Sequence, residues 1–102
     1  MKIKYNLDKN TLNISFVGEL DECTATRTRE AVESLIAEVS GISKVVFDLS
    51  LLTFMDSTGI GMFIGRYKKL KSMGISTFIK NPNDSVEKIL QISGLYQIMP
   101  RI

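Results

Sequence analysis

From Val45 to the C-terminus the hydrophobic pattern switches repeatedly between strand and helix periods, and that alternation admits few folds. Val45-Val46-Phe47 is a short continuous apolar run, the pattern of a strand covered on both faces. Leu51, Leu52, Phe54 and Met55 read as an apolar loop leading to Asp56-Ser57-Thr58-Gly59. A helix then runs to about Met73, with Ile60, Phe63, Ile64, Tyr67 and Leu70 repeating as one buried stripe. Ile75–Ile79 reads as a strand, and Asn81-Pro82 breaks the chain. Asp84-Ser85 opens a further helix, with Glu87 three residues after Asp84 as in a capping box and Gly94 at its end. Ile98–Ile102 completes the series as a short strand, placed by Pro100 at a sheet edge. Strands separated by helices pair in parallel through right-handed crossovers.

The first part of the chain adds an antiparallel pair. Ile3, Tyr5 and Leu7 alternate with polar residues, Asp8-Lys9-Asn10 forms a turn cluster, and Leu12, Ile14 and Phe16 repeat the alternation as far as Gly18. Each run predicts a strand with one buried face. Val32, Leu35, Ile36 and Val39 then give the stripe of a helix over 24–40, with Asp21 or Thr24 as its cap and Gly41 as its stop. The expected fold is α/β, in the order β-β-α-β-α-β-α-β. An N-terminal hairpin joins a mixed sheet covered by helices, and residues 1–102 form a single domain, as the length of 102 residues requires.

Composition removes several kinds of chemistry. The chain has no histidine and one cysteine, Cys23. It therefore has no disulfide within itself, no histidine general base and no Ser–His–Asp triad. No cofactor and no metal site are expected. Cys23 reads as a small residue near a helix start, in keeping with a reducing compartment. No run approaches the length of a membrane span, and the N-terminus lacks the apolar core of a signal peptide. These features predict a cytoplasmic protein without membrane insertion. The net charge of +2 is too small to imply nucleic acid. Its distribution is uneven: residues 1–50 carry six basic and eight acidic side chains, residues 51–102 seven and three. Lys68, Lys69 and Lys71 fall in the last turns of the second helix, where the dipole favours cations.

Asp56-Ser57-Thr58-Gly59-Ile60-Gly61 is the segment richest in chemistry. It sits where a helix begins and backbone N–H groups lack partners, so a Ser or Thr hydroxyl there is ordinarily a cap. Gly59, Gly61 and Gly65 in the first half of one helix ask for a further reason, since each interior glycine costs about 1 kcal/mol relative to alanine. Close packing suits Gly65. For Gly61 both packing and an open approach for another protein's backbone or a phosphate remain. The spacing is neither the dinucleotide fingerprint nor a P-loop.

Phe54-Met55-Asp56-Ser57-Thr58-Gly59-Ile60-Gly61, followed by Gly65-Arg66-Tyr67-Lys68, closely resembles the STAS-domain anti-sigma-factor antagonists of bacteria. Gly18-Glu19-Leu20-Asp21 matches their first motif, and Ser93-Gly94-Leu95 matches a third. The resemblance extends over nearly the whole chain and looks most like the sporulation type. It implies that the unphosphorylated protein binds an anti-sigma factor that is also a serine kinase, and so frees a sigma factor. It implies that phosphorylation at Ser57 switches the protein off and that a serine phosphatase resets it. Thr58 is the adjacent hydroxyl. The resemblance also implies a further helix after the last strand, whereas this chain ends at Ile102.

The partner surface expected on these grounds comprises Asp21, Asp56, Thr58, Gly59, Gly61 and Arg66. Asp21 reads equally as a helix cap and as a partner for a basic side chain of the kinase. Arg66, nine residues beyond Ser57, belongs to the rim. A phosphate on Ser57 would sit at a helix N-terminus, which accommodates anions, and would set like charges beside Asp56, spoiling an interface with little refolding. On this reading the protein is a substrate and binding partner, not an enzyme. Two alternatives stand beside it: a STAS subunit of a transport or stress-signalling assembly, which shares the fold but is not controlled by phosphorylation, and a small ligand-binding or nucleotide-hydrolysing domain using the Ser57–Gly61 loop.

Overall fold

The computed structural model describes residues Met1–Ile102. The N-terminal hairpin forms as expected from β1 (Lys2–Asp8) and β2 (Thr11–Leu20), antiparallel in the register Tyr5↔Ile14 and Leu7↔Leu12. Helix α1 (Ala25–Glu38) leads to β3 (Lys44–Asp48) and β4 (Leu52–Met55). Helix α2 (Ser57–Ser72), β5 (Ser76–Lys80) and α3 (Asp84–Ser93) follow, then a short 3-10 turn at Leu95–Gln97. The main sheet runs β1-β2-β3-β5, with β4 paired to the far end of β2. Every pairing except the hairpin is parallel.

Leu12, Ile14 and Phe16 of β2, Val45 and Phe47 of β3, and Ile79 of β5 enter one core with Val32, Leu35, Phe63, Leu70 and Leu90 from the helices. At its centre Phe63 of α2 meets Phe16 and Phe47 edge-on, with ring centroids 5.4 and 5.2 Å away. Such contacts add to the area these rings bury.

Several expectations need correction. Leu52–Met55 is a strand, not a loop, and the chain passes through Gly18 rather than ending β2 there. A register shift between Gly18 and Glu19 lets β2 continue to Leu20, and Gly18 sits at φ +121°, a conformation glycine tolerates. The expectation of a β3 covered on both faces does hold: Val46, beside Asn13 and Phe78 on the face opposite Val45 and Phe47, is also buried, although outside the main core cluster. Tyr5 and Leu7 share the core side with Ile14 and Leu12 yet remain 60% and 51% exposed, because β1 is an edge strand outside the reach of the helices. Helix α1 stops at Glu38, since Val39 is already extended. The expected last strand is a single parallel bridge between Ile79 and Arg101.

The cap of α3 is Asn83, whose side chain accepts from the Val86 N–H at 2.9 Å, so Asp84 and Glu87 form no capping box. Glu87 turns instead toward the end of the chain. It accepts a short hydrogen bond from the Tyr96 hydroxyl and an ion pair from Arg101 at 2.9 Å. The Tyr96 bond, aided by Arg101 and opposed by desolvation, holds the Glu87 carboxyl below its ordinary 4.5. Burial, and then the bond to Glu87, pushes the Tyr96 phenol upward, so it remains a donor at neutral pH. A carboxyl with a lowered folded pKa contributes stability above the unfolded value, and that contribution disappears as pH falls through the folded value. Urea midpoints measured from about pH 3 to pH 7 will therefore show Glu87→Gln less stable than wild type at neutrality, with the gap closing below about pH 4.5. A gap independent of pH would mean that the ionised carboxylate contributes nothing.

Candidate functional site

The end of β2 and the start of α2 are held together by backbone. The Asp56 N–H donates to the Leu20 carbonyl at 3.3 Å, beyond the parallel pairing Leu20↔Met55. The residues that follow each strand, Asp21 and Asp56, thus emerge side by side.

Both aspartates organise backbone. The Asp56 carboxylate accepts from the Thr58 N–H at 2.9 Å and the Gly59 N–H at 3.4 Å, which makes Asp56 the cap of α2. The Asp21 carboxylate accepts from the Cys23 and Thr24 N–H groups at 2.9 and 3.1 Å. The Asp21 N–H donates to the Thr24 hydroxyl, and that hydroxyl donates to the Glu19 carbonyl. Thr24 itself makes no side-chain cap bond, so the carboxylate of Asp21 orders the entry to α1.

One consequence concerns the hydroxyls. With Asp56 in the cap, neither Ser57 nor Thr58 has to fill it, and both are exposed on the first turn of α2. An exposed hydroxyl on a rigid helix start is geometrically available to another protein's active site.

The three glycines separate into two kinds. A Cβ on Gly59 would lie 2.5 Å from Met55 Cγ and 3.0 Å from Leu20 Cγ, so this buried residue is where α2 closes onto β2 and β4. Gly61 and Gly65 have nothing within 4 Å of the corresponding position. The packing reason expected for Gly65 is absent, and for Gly61 the structure leaves open space.

Arg66 also departs from expectation. Its guanidinium pairs with Glu33 of α1 and its side chain is only 11% exposed, with Nε buried and unpartnered. It ties α2 to α1 instead of standing at a rim. At a rise of about 1.5 Å per residue it lies roughly 13 Å down the helix from Ser57. The structure brings together Asp21, Asp56, Ser57, Thr58 and Gly59, keeps Gly61 one turn below, and does not bring in Arg66.

Two features were missed from sequence. Phe54, opposite Glu19 in the β2–β4 pairing, is 46% exposed. Its place in an apolar run concealed that it faces outward. Arg29 of α1 lines a shallow concavity with Thr58 and Gly61. The only signal in the sequence was its i, i+4 spacing from Glu33.

The chain belongs to the STAS domain family, whose profile matches residues 2–102. It is 32% identical over 100 residues to the anti-sigma F factor antagonist of Paenibacillus polymyxa, a match covering 98% of this chain and 85% of that protein. Its structure is similar to the anti-sigma factor antagonist SpoIIAA in the unphosphorylated form, with a TM-score of 0.80 and 27% identity over 99% of this chain and 88% of the other. The phosphorylated form of the Bacillus cell fate determinant SpoIIAA is also similar, with a TM-score of 0.71 and 26% identity over 99% and 91% of the two chains. No helix is long and apolar enough to cross a membrane.

The glycine geometry sets a stability test. Gly61→Ala gains helix propensity without a clash and will raise stability by up to about 1 kcal/mol. Gly59→Ala forces Met55 and Leu20 apart and will lower it by about 1–3 kcal/mol. Urea unfolding measures both, and a loss of equal size at the two positions would contradict the close approach assigned to Gly59.

Proposed function

We propose that this protein is an anti-sigma-factor antagonist of the partner-switching kind. In the unphosphorylated state it binds an anti-sigma factor that is a serine kinase, and the sigma factor held by that kinase is released. Phosphorylation at Ser57 ends the binding, and a serine phosphatase restores it. The protein acts in the cytoplasm as substrate and binding partner rather than as enzyme.

One observation carries this reading: the Asp56 carboxylate caps α2 and leaves the Ser57 hydroxyl exposed at the helix start. The relatives named as anti-sigma factor antagonists support it. In the transfer, the Ser57 Oγ bonds to the γ-phosphorus of a nucleoside triphosphate. The bond from that phosphorus to the β–γ bridging oxygen breaks, and the nucleoside diphosphate departs. The hydroxyl proton passes to a base of the kinase.

The switch follows from charge. The phosphoryl group adds about −1.5 to −2 charges beside Asp56 and near Asp21. A partner surface that accepts these two carboxylates then meets an excess of negative charge, and like-charge contacts across an interface cost several kcal/mol. The docking surface comprises Asp21, Asp56, Thr58 and the open backbone at Gly61, with exposed Phe54 as its apolar neighbour. Gly59 supports it from beneath.

Incubation with the cognate kinase and a nucleoside triphosphate, followed by mass spectrometry, will place one phosphate on Ser57 and none in Ser57→Ala. Ser57→Asp, a partial mimic of the charge, will weaken kinase binding at least about tenfold, or about 1.4 kcal/mol. A kinase that is active on another substrate yet leaves Ser57 unmodified would refute the phosphoswitch.

A further inference from the structure

If Ser57 is the phosphoacceptor, on which the following rests, the phosphoryl group needs a counter-charge once it is attached. Ala25, Thr26 and Arg29 of α1 and its approach face Thr58, Gly61 and Met62 of α2 across one concavity. Arg29 is the single cation among these residues. Gly61 lies four residues beyond Ser57, on the same helix face, and its missing side chain leaves that face bare down to the backbone. Thr58, the residue next to Ser57, thus stands on one wall of a hollow whose opposite wall bears a guanidinium.

Arg29 is free to move. Its present partner, Glu33, lies 3.7 Å away, and the two side chains are 44% and 43% exposed. Exposed i, i+4 pairs of this kind contribute little. Glu33 has a second and closer partner in Arg66, which is itself nearly buried. When Arg29 leaves, Glu33 keeps a counter-charge. The charges near a phosphoryl group on Ser57 are otherwise negative, namely Asp56 as cap of the same helix and Asp21 at the entry to α1.

We propose that Arg29 is the internal counter-charge of the phosphorylated state: its guanidinium exchanges Glu33 for the phosphoryl group on Ser57. Guanidinium and phosphate match as a fork of donors to a set of acceptors, stronger than the exposed carboxylate pair it replaces.

The test uses the full chain with phosphoserine placed at position 57 during translation, so that it needs no kinase. Phosphorus NMR titrations would follow the second ionisation of the phosphate, ordinarily near pH 6. Pairing with a cation favours the dianion and lowers that midpoint. Arg29→Gln will raise the midpoint by about 0.5–1 unit, and Arg29→Lys will restore part of the shift. Arg27→Gln removes the same formal charge from the same helix, but Arg27 lines a different hollow with Met1 and Cys23, so it will leave the midpoint near wild type. Identical midpoints for wild type and Arg29→Gln, or an equal shift in Arg27→Gln, would overturn the assignment. A kinase that ignores Ser57 while the Arg29 shift persists would sustain the pairing and refute the phosphoswitch instead.

Discussion

The parallel pairing between the end of β2 and β4 is the constraint on which the site depends. β2 is ten residues long, enough for β3 to pair with its first half and β4 with its last. The irregularity at Gly18 allows one strand to serve both. Because β4 is the strand that feeds α2, and β2 the strand that feeds α1, this pairing places two helix entries next to each other. The hydrogen bond from the Asp56 N–H to the Leu20 carbonyl closes the arrangement. Without it the two aspartate-capped starts would be separate local structures with no common surface.

Below that junction, packing keeps the helices from shifting. Phe63 wedges against Phe16 and Phe47, and Gly59 allows the first turn of α2 to sit against Met55 and Leu20. The Arg66–Glu33 pair joins the two helices further along. These contacts act on the buried side of α2. The opposite side of its first turn carries Ser57, Thr58 and the empty position at Gly61. A glycine is thus used in two ways within three residues, once to let helix and sheet meet and once to leave a surface bare.

The order of strands and helices was legible because the hydrophobic periods are clean. The third strand, the second helix and the third helix lie where their apolar spacing put them. β4 was not legible, because its four residues lack the alternation of a strand: Leu52 and Met55 at its ends are buried and the two between them are exposed. The exposure of Tyr5 and Leu7 was hidden for a different reason. Alternation says which side of a sheet a residue faces, but not whether a helix extends over that edge. At the site, Asp56, Ser57 and Gly59 were readable as a motif, while their division of labour was not. Serine, threonine and aspartate are all competent caps, and only the folded geometry decides that the carboxylate takes the N–H groups. Arg66 was misread because spacing along its own helix says nothing about Glu33, 33 residues earlier on another.

Under the proposed switch, division of labour at the cap would let a charge be added at Ser57 without disturbing the fold. If the Ser57 hydroxyl were the cap, esterifying it would remove a structural hydrogen bond, and the helix start would have to rearrange with every cycle. Asp56 makes the two capping bonds, so the serine oxygen can gain and lose a substituent while α2 keeps its first turn. The same carboxylate then opposes the added charge, and the helix N-terminus partly offsets that opposition. A switch built in this way changes the surface potential of the junction and leaves the β2–β4 pairing that positions it unchanged.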